Sequence, residues 1–306
     1  MTDLNFYDDP AAFLRDVEDV LAQDPVVTTV VSTVTQRVAA ADARGEPRGD
    51  HLHWWVAVRE GDRVVGVAMR TAPFGPYPLY VLPMPEQGAR ALARALHERG
   101  EQVEAVNGAL PATEHFADEM ARLSGGTARV HEHMRLWEAA EVVVPPLPAG
   151  LLRAARADDV GLAVAWWNAF AADAAEQAGR PVESATGEGI EADEMTRRIG
   201  EDLVWLWEDE TGRVVHLTAH NPPAYGVARV GPVYTPRDAR GHGYASATVA
   251  AVTQRLLDRG VRACLFTDQA NPTSNKIYEA VGYRPVVDMA NLQIHPTVVV
   301  TRPGPA

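Results

Sequence analysis

The chain has 306 residues, 46% apolar and 23% charged, which is enough greasy side chain for a folded core and about twice the usual size of one domain. Its 28 basic against 41 acidic residues leave a formal net charge of −13, which argues against sequence-independent binding to nucleic acid or to an anionic membrane surface. A single cysteine, Cys264, excludes an intrachain disulfide and a cysteine-based zinc cluster, and no apolar run approaches the roughly 18 residues of a membrane-crossing helix.

The opening MTDLNFYDDP is acidic rather than basic and then apolar, so no export signal is read and a cytoplasmic protein is expected. Alternating runs at 53–60 and 63–70 around Gly61-Asp62 predict a hairpin. A short strand at 79–82, a helix over 86–99 closed by Gly100, a strand at 103–106, a helix over 111–123 and a strand at 133–138 follow. Between 142 and 150 stand Pro145, Pro146 and Pro148, which remove amide donors and fix backbone angles, so this stretch is read as a linker. It divides the chain into 1–141 and 151–306. The first part carries 13 basic and 22 acidic residues (−9) and the remainder 15 and 19 (−4), so an anionic ligand is expected in the second.

Beyond the linker the pattern predicts a helix over 158–175 rich in Trp166, Trp167 and Phe170, a polar stretch at 179–189, and a short helix over 191–200. A hairpin of 203–207 with 214–220 and a third strand at 225–234 come next, the latter interrupted by Gly231-Pro232. A helix over 243–259, a strand at 262–267, a helix over 273–281 stopped by Gly282, and two last strands at 283–288 and 291–294 complete the chain. The first half repeats this order of elements about 150 residues earlier, which suggests an internal duplication. The expected fold class is α/β with a mixed, mostly antiparallel central sheet flanked by helices in each half.

The densest chemical signal is the segment from Val233, Tyr234 and Thr235 through Arg237, Arg240, Gly241, His242, Gly243, Tyr244, Ala245 and Ser246. It is a strand running through a glycine-bearing turn into a helix. The unpaired amides and dipole of a helix start favour a phosphate or pyrophosphate, and glycines let the backbone approach it. A Walker loop is excluded because the one lysine is Lys276, and the dinucleotide fingerprint fails at Ser246, where its third small residue belongs. A tight strand-to-helix turn without a ligand is the competing structural role.

Here the chain resembles the GNAT superfamily, the GCN5-related N-acetyltransferases. Their pyrophosphate loop reads Gln/Arg-x-x-Gly-x-Gly/Ala, and Arg240, Gly243 and Ala245 match it. A second block, from Asn271 through Ser274, Asn275 and Tyr278 to Gly282-Tyr283, resembles the family's segment after its fifth strand. The resemblance implies two GNAT-like domains and acetyl-CoA as co-substrate without a metal. It implies direct transfer of the acyl group to a small-molecule or peptide amine in a ternary complex. It also implies that Val233, Tyr234 and Thr235 line the pantetheine arm and that residues 241–246 hold the pyrophosphate, with Arg240 offsetting its charge. Asn271, Ser274 and Asn275 would bind the cofactor, and Tyr278 would be the general acid toward the departing thiolate. A core phenol is the alternative role for Tyr278.

The predicted strand at 225–234 lacks the carboxylate that family members often use as a base. His216 and His220, which share one strand face, are the candidates by pKa, and Asp173 and Glu176 are candidates to attract a cationic acceptor. In the first half the counterpart segment, Leu82-Pro83-Met84-Pro85-Glu86-Gln87-Gly88, has prolines and an acidic residue where amides and positive charge would be needed, so a degenerate copy is expected. A non-catalytic acyl-CoA sensor or interaction module is the rival reading, and a nucleotide-dependent oxidoreductase a weaker one.

Overall fold

The computed structural model describes residues 2–177 and 189–295. In chain order it holds β1 (Thr2–Tyr7), α1 (Pro10–Gln23), α2 (Thr29–Ala43), β2 (Trp54–Glu60), β3 (Arg63–Arg70), β4 (Leu79–Val81), α3 (Glu86–Glu98), β5 (Ala105–Ala109), α4 (Ala112–Leu123) and β6 (Thr127–Ala139). Then come β7 (Leu151–Ala154), α5 (Val160–Gln177), α6 (Ala192–Gly200), β8 (Val204–Glu208), β9 (Val214–His220), β10 (Val227–Tyr234), α7 (Tyr244–Asp258), β11 (Arg262–Asp268), α8 (Pro272–Val281) and β12 (Tyr283–His295). The polar stretch expected at 179–189 falls almost wholly outside the described residues.

The chain forms two compact units. One holds residues 2–17, 38–133 and 289–295; the other holds 18–37 and 134–288. In the first unit the strands pair in the order β1-β2-β3-β4-β5-β12, antiparallel except for β4 against β5. In the second the order is β7-β8-β9-β10-β11-β6, antiparallel except for β10 against β11. The two orders are the same, so each unit is a mixed, mostly antiparallel sheet with one parallel pair. The sixth strand of each comes from the other half of the sequence. Residues 289–293 of β12 pair with β5, and residues 134–138 of β6 pair with β11. The unit boundaries therefore depart from the proline-rich stretch at 142–150, whose Val143 amide donates to Val281 O at 2.8 Å.

Two further differences from the sequence reading have simple causes. The last two strands are one, β12, because Met289-Ala290, the gap read between them, contains no turn-forming residue. The elements β1, α1, α2 and β7 went unread; α2 is rich in β-branched Val and Thr, which blur a helical period.

The core of the first unit follows from α3, where Ala89, Leu92, Ala93 and Leu96 recur at helical spacing and are fully buried. They pack with Phe116 and Met120 of α4 on Trp54, Val56, Leu79, Val106 and Leu292 of the sheet. Each of the larger side chains contributes about 1.5–3 kcal/mol by leaving water. In the second unit Val249, Val252 and Leu256 of α7 and Val281 of α8 cover Ala228, Val230, Ala263 and Leu265. Beneath α5 and α6 lie Val204, Leu206, Leu217 and Ala219.

Among the described residues the first unit buries Arg70, paired with Glu101 at 3.0 Å, and a carboxylate on α4. Glu119 of α4 is 2% exposed and accepts from Arg94 at 2.6 Å and from Arg122 at 2.9 Å, with Arg90 at 3.4 Å. The hydrogen bond from Arg122, reinforced by Arg94, holds its carboxyl down to about 2, below the ordinary 4.5. Because the folded state lowers this pKa, the stabilisation is full above pH 4.5 and is lost as the pH falls toward 2. Glu119→Ala is expected to lower stability by about 2 kcal/mol at neutral pH. Denaturant titrations should show that deficit shrinking between pH 4.5 and 2.

Candidate functional site in the second unit

The site begins where β10 leaves its parallel neighbour. β10 runs to Tyr234 and β11 to Asp268, yet their pairing ends at Arg229 opposite Cys264. On its other edge β10 shifts register against β9 between Val230 and Val233, at Gly231-Pro232. The shift bends the strand, as a bulge does. The edge of residues 230–234 that would face β11 is thereby left without a strand partner.

Beyond Tyr234 the chain makes a 3-10 turn at Arg237–Ala239 and enters α7 through Gly241 and Gly243, at φ +83° and +82°. Only glycine reaches such angles without strain. Among the described residues, and apart from its own chain neighbours, neither glycine has an atom within 4 Å of where a Cβ would stand, so open space lies over both. Among the described residues no side chain caps α7. Among the described residues nothing accepts from the amides of residues 241–246; the first amide of this stretch to bond is that of Ala247, to Gly243 O at 3.0 Å. His242 stacks on Tyr244 with centroids 5.7 Å apart, and Tyr244 lies against Trp207 of β8. Trp205 and Trp207, two residues apart on β8, both face α7.

The loop is tethered on both faces of the sheet. On the α7 side His216 of β9 is fully buried, its Nδ1 2.7 Å from Thr235 Oγ1 and its Nε2 2.8 Å from Thr218 Oγ1. Burial pushes its pKa down to about 3, so the ring is neutral through the physiological range. With both nitrogens engaged by hydroxyls, His216 is a strut and not a base. His220 is buried as well, its Nδ1 donating to Asn221 O. On the α5 side Arg240 donates from Nε to Thr235 O at 3.0 Å and from Nη2 to Asp173 at 2.7 Å. Arg237 reaches Asp173 at 3.1 Å and also pairs with Glu176. The two carboxylates read as acceptor-attracting are thus engaged by the loop arginines. This pairing escaped the sequence reading because it joins residues more than sixty positions apart; the i, i+3 spacing of Asp173 and Glu176 on a helix was its one trace.

The second block folds as α8 with Asn271 as N-cap, its Oδ1 accepting from the Ser274 amide at 3.1 Å. Asn275 donates from Nδ2 to Asp268 O and Gln269 O, and its buried Oδ1 has no partner among the described residues. Asn271 is therefore occupied as a cap, while Asn275 keeps an open acceptor. Tyr278 is 8% exposed and packs edge-on to Tyr283 at 6.0 Å. Burial raises its pKa, and among the described residues no group hydrogen-bonds its hydroxyl. Cys264 is fully buried and its thiol is pushed up to about 11, in keeping with an inert core residue.

Residues 207–292 match the family model described as FR47-like protein. No curated protein sequence matches the chain. Among solved structures, a GCN5-related N-acetyltransferase from Sphaerobacter thermophilus is 17% identical with a TM-score of 0.57, covering 97% of each chain. An acetyltransferase from the GNAT family from Colwellia psychrerythraea is 11% identical at 0.55, covering 96% of this chain and all of its own. A tandem GNAT protein from the clavulanic acid biosynthesis pathway is 15% identical at 0.54, with the same coverage.

The chain carries the GNAT fold. Within this fold the first unit treats the corresponding elements differently. All three residues of β4 pair with β5. Gly108 of β5 lies so close that a Cβ there would stand 1.9 Å from Val81 O. Ahead of α3, Pro83 and Pro85 have no amide, Gly88 and Ala89 already donate to Pro85 O, and Met84 packs over Gly66 and Gly88. The two glycine sites should separate in stability measurements. Gly243→Ala, limited to the φ penalty, is expected to cost about 1–2 kcal/mol. Gly108→Ala, which drives a carbon into backbone, should cost more than about 3 kcal/mol and broaden the unfolding transition.

Proposed function

We propose that the second unit is an acyl-CoA-dependent N-acyltransferase that moves the acetyl group of acetyl-CoA to a primary amine, of a small molecule or a peptide, by direct attack within a ternary complex. The observation that carries this reading is one coincidence: a strand edge freed between β10 and β11 leads into six unclaimed amides at the start of α7. The residues present fit the cofactor. The amides of Gly241, His242, Gly243, Tyr244, Ala245 and Ser246 are suited to its pyrophosphate, and the open space above both glycines leaves room for it. The free edge of Val233 and Tyr234 suits the amide-bearing pantetheine arm as an added strand. The orphaned Oδ1 of Asn275 offers an acceptor to an amide of that arm.

Bound acetyl-CoA supplies an activated thioester. The chain's own part is to hold it, keep water away and hand a proton to the sulfur. Tyr278 is the residue for the last task, since its hydroxyl is not engaged and burial keeps it protonated. Burial penalises a thiolate as it does a phenolate, so the transfer stays near balance although the phenol is raised. No carboxylate stands on β10, and His216 is neutral and engaged, so in this reading the acceptor arrives as free amine. At neutral pH that costs about 4–5 kcal/mol for an amine of pKa about 10.4. The first unit, with paired strands and prolines ahead of α3, is proposed not to bind the cofactor.

Calorimetry should give one CoA per chain; no binding would overturn the reading and two sites would overturn the role given to the first unit. Steady-state release of CoA with an amine panel separates an enzyme from an acyl-CoA sensor. Tyr278→Phe is expected to lower kcat about 10²-fold with little change in CoA affinity. Unchanged turnover would remove Tyr278 from the mechanism.

A further inference from the structure

The two arginines ahead of α7 are held in different ways. Arg240 is bound on two sides, by Thr235 O through Nε and by Asp173 through Nη2, and its side chain is 34% exposed. Asp173 is 14% exposed, and burial together with Asp173 raises the pKa of Tyr234, which packs on Trp166 of α5. The chain of contacts continues from Thr235 Oγ1 to His216 and Thr218. Arg237, by contrast, is 62% exposed, and one nitrogen, Nη2, serves both Asp173 and Glu176, the latter 49% exposed. Exposed pairs of this sort are weak and exchange readily, whereas a pair fixed by a second hydrogen bond does not.

Resting on the acyl-CoA reading above, we propose that Asp173 and Glu176 of α5, one helical turn apart, act on the cofactor loop in opposite senses. Asp173 is a positioning residue: through Arg240 it holds the carbonyl of Thr235 and so the turn that presents the amides of residues 241–246. It leaves Arg240 a part of the scaffold and not the counter-charge of the pyrophosphate. Glu176 is a built-in competitor: it occupies the guanidinium of Arg237, the cation free to swing to a bound anion. Binding of CoA then exchanges one ion pair, with Glu176 giving up Arg237 to a phosphate oxygen, and leaves the Asp173–Arg240 pair in place. The chemistry that selects for this arrangement is a ligand carrying a multiply charged phosphate group.

The two carboxylates predict changes of opposite sign. A carboxylate acting only as a negative charge near a phosphate would weaken binding at either position, so its removal would strengthen binding at both. The experiment is calorimetric titration of CoA into wild type, Asp173→Asn, Asp173→Glu and Glu176→Gln, each checked for an unchanged melting transition in the absence of ligand. Asp173→Asn is expected to weaken CoA about tenfold, Asp173→Glu to recover most of that loss, and Glu176→Gln to tighten binding about threefold and to raise the salt dependence of the affinity. Tighter or unchanged binding by Asp173→Asn, or weaker or unchanged binding by Glu176→Gln, overturns the proposal while leaving the acyl-CoA reading intact. Absence of CoA binding by wild type overturns both. Should Asp173→Asn fail to fold, Glu176→Gln and Arg237→Gln decide: the first must tighten binding and the second weaken it, and any other pair of results sinks the exchange.

Discussion

The parting of β10 from β11 is the constraint from which the rest of the site follows. Two parallel strands that stay paired leave no backbone groups to offer, and the only polar atoms at their ends are those of the loops. Here the pairing stops at Arg229, five residues before β10 ends, and the register shift at Gly231-Pro232 turns the strand away. The strand then delivers the chain to α7 with both an open edge behind it and open space over Gly241 and Gly243 ahead. Core packing on both faces holds the opening: Ala228, Val230 and Ala263 lie under α7 and α8, and Leu217 and Ala219 of the adjoining strand lie under α5 and α6.

The first unit shows the same strand order with the opening closed. Gly108 permits β5 to come within backbone contact of Val81, and Met84 fills the place above α3 that is open above α7. Its buried carboxylate Glu119, among Arg90, Arg94 and Arg122, joins α3 to α4. One topology thus takes two forms, and the difference lies in a few residues at the end of a strand and the start of a helix.

Much of the site was legible because its parts are local. The turn from Val233 to Ser246 declares itself through two glycines in a short span after a strand, and the structure places them at left-handed angles with free amides between. Gly282 ending α8 follows from the same short-range chemistry, whereas Asn271, read as a cofactor ligand, is taken up as the cap of that helix. The struts were not legible. His216 and His220 presented themselves as bases by their ordinary pKa, and only burial, which drives His216 to about 3 and sets both its nitrogens on threonines, makes it a tether. Asp173 and Glu176 presented themselves as free carboxylates, and only the packing of α5 beside β10 pairs them with Arg237 and Arg240.

By itself the order of residues determined the elements with a clear period, the hairpins, the caps and the glycine turn, since each depends on neighbours a few positions away. It determined too that the two halves follow one plan. The tertiary structure alone decided which strand completes which sheet. The pairing of β12 with β5, and of β6 with β11, joins segments more than a hundred residues apart, and alternation of apolar side chains is satisfied by any neighbour that buries the same face. It alone decided as well which charged groups stay open to a ligand, because that depends on what packs across from them and not on the residues beside them in the chain.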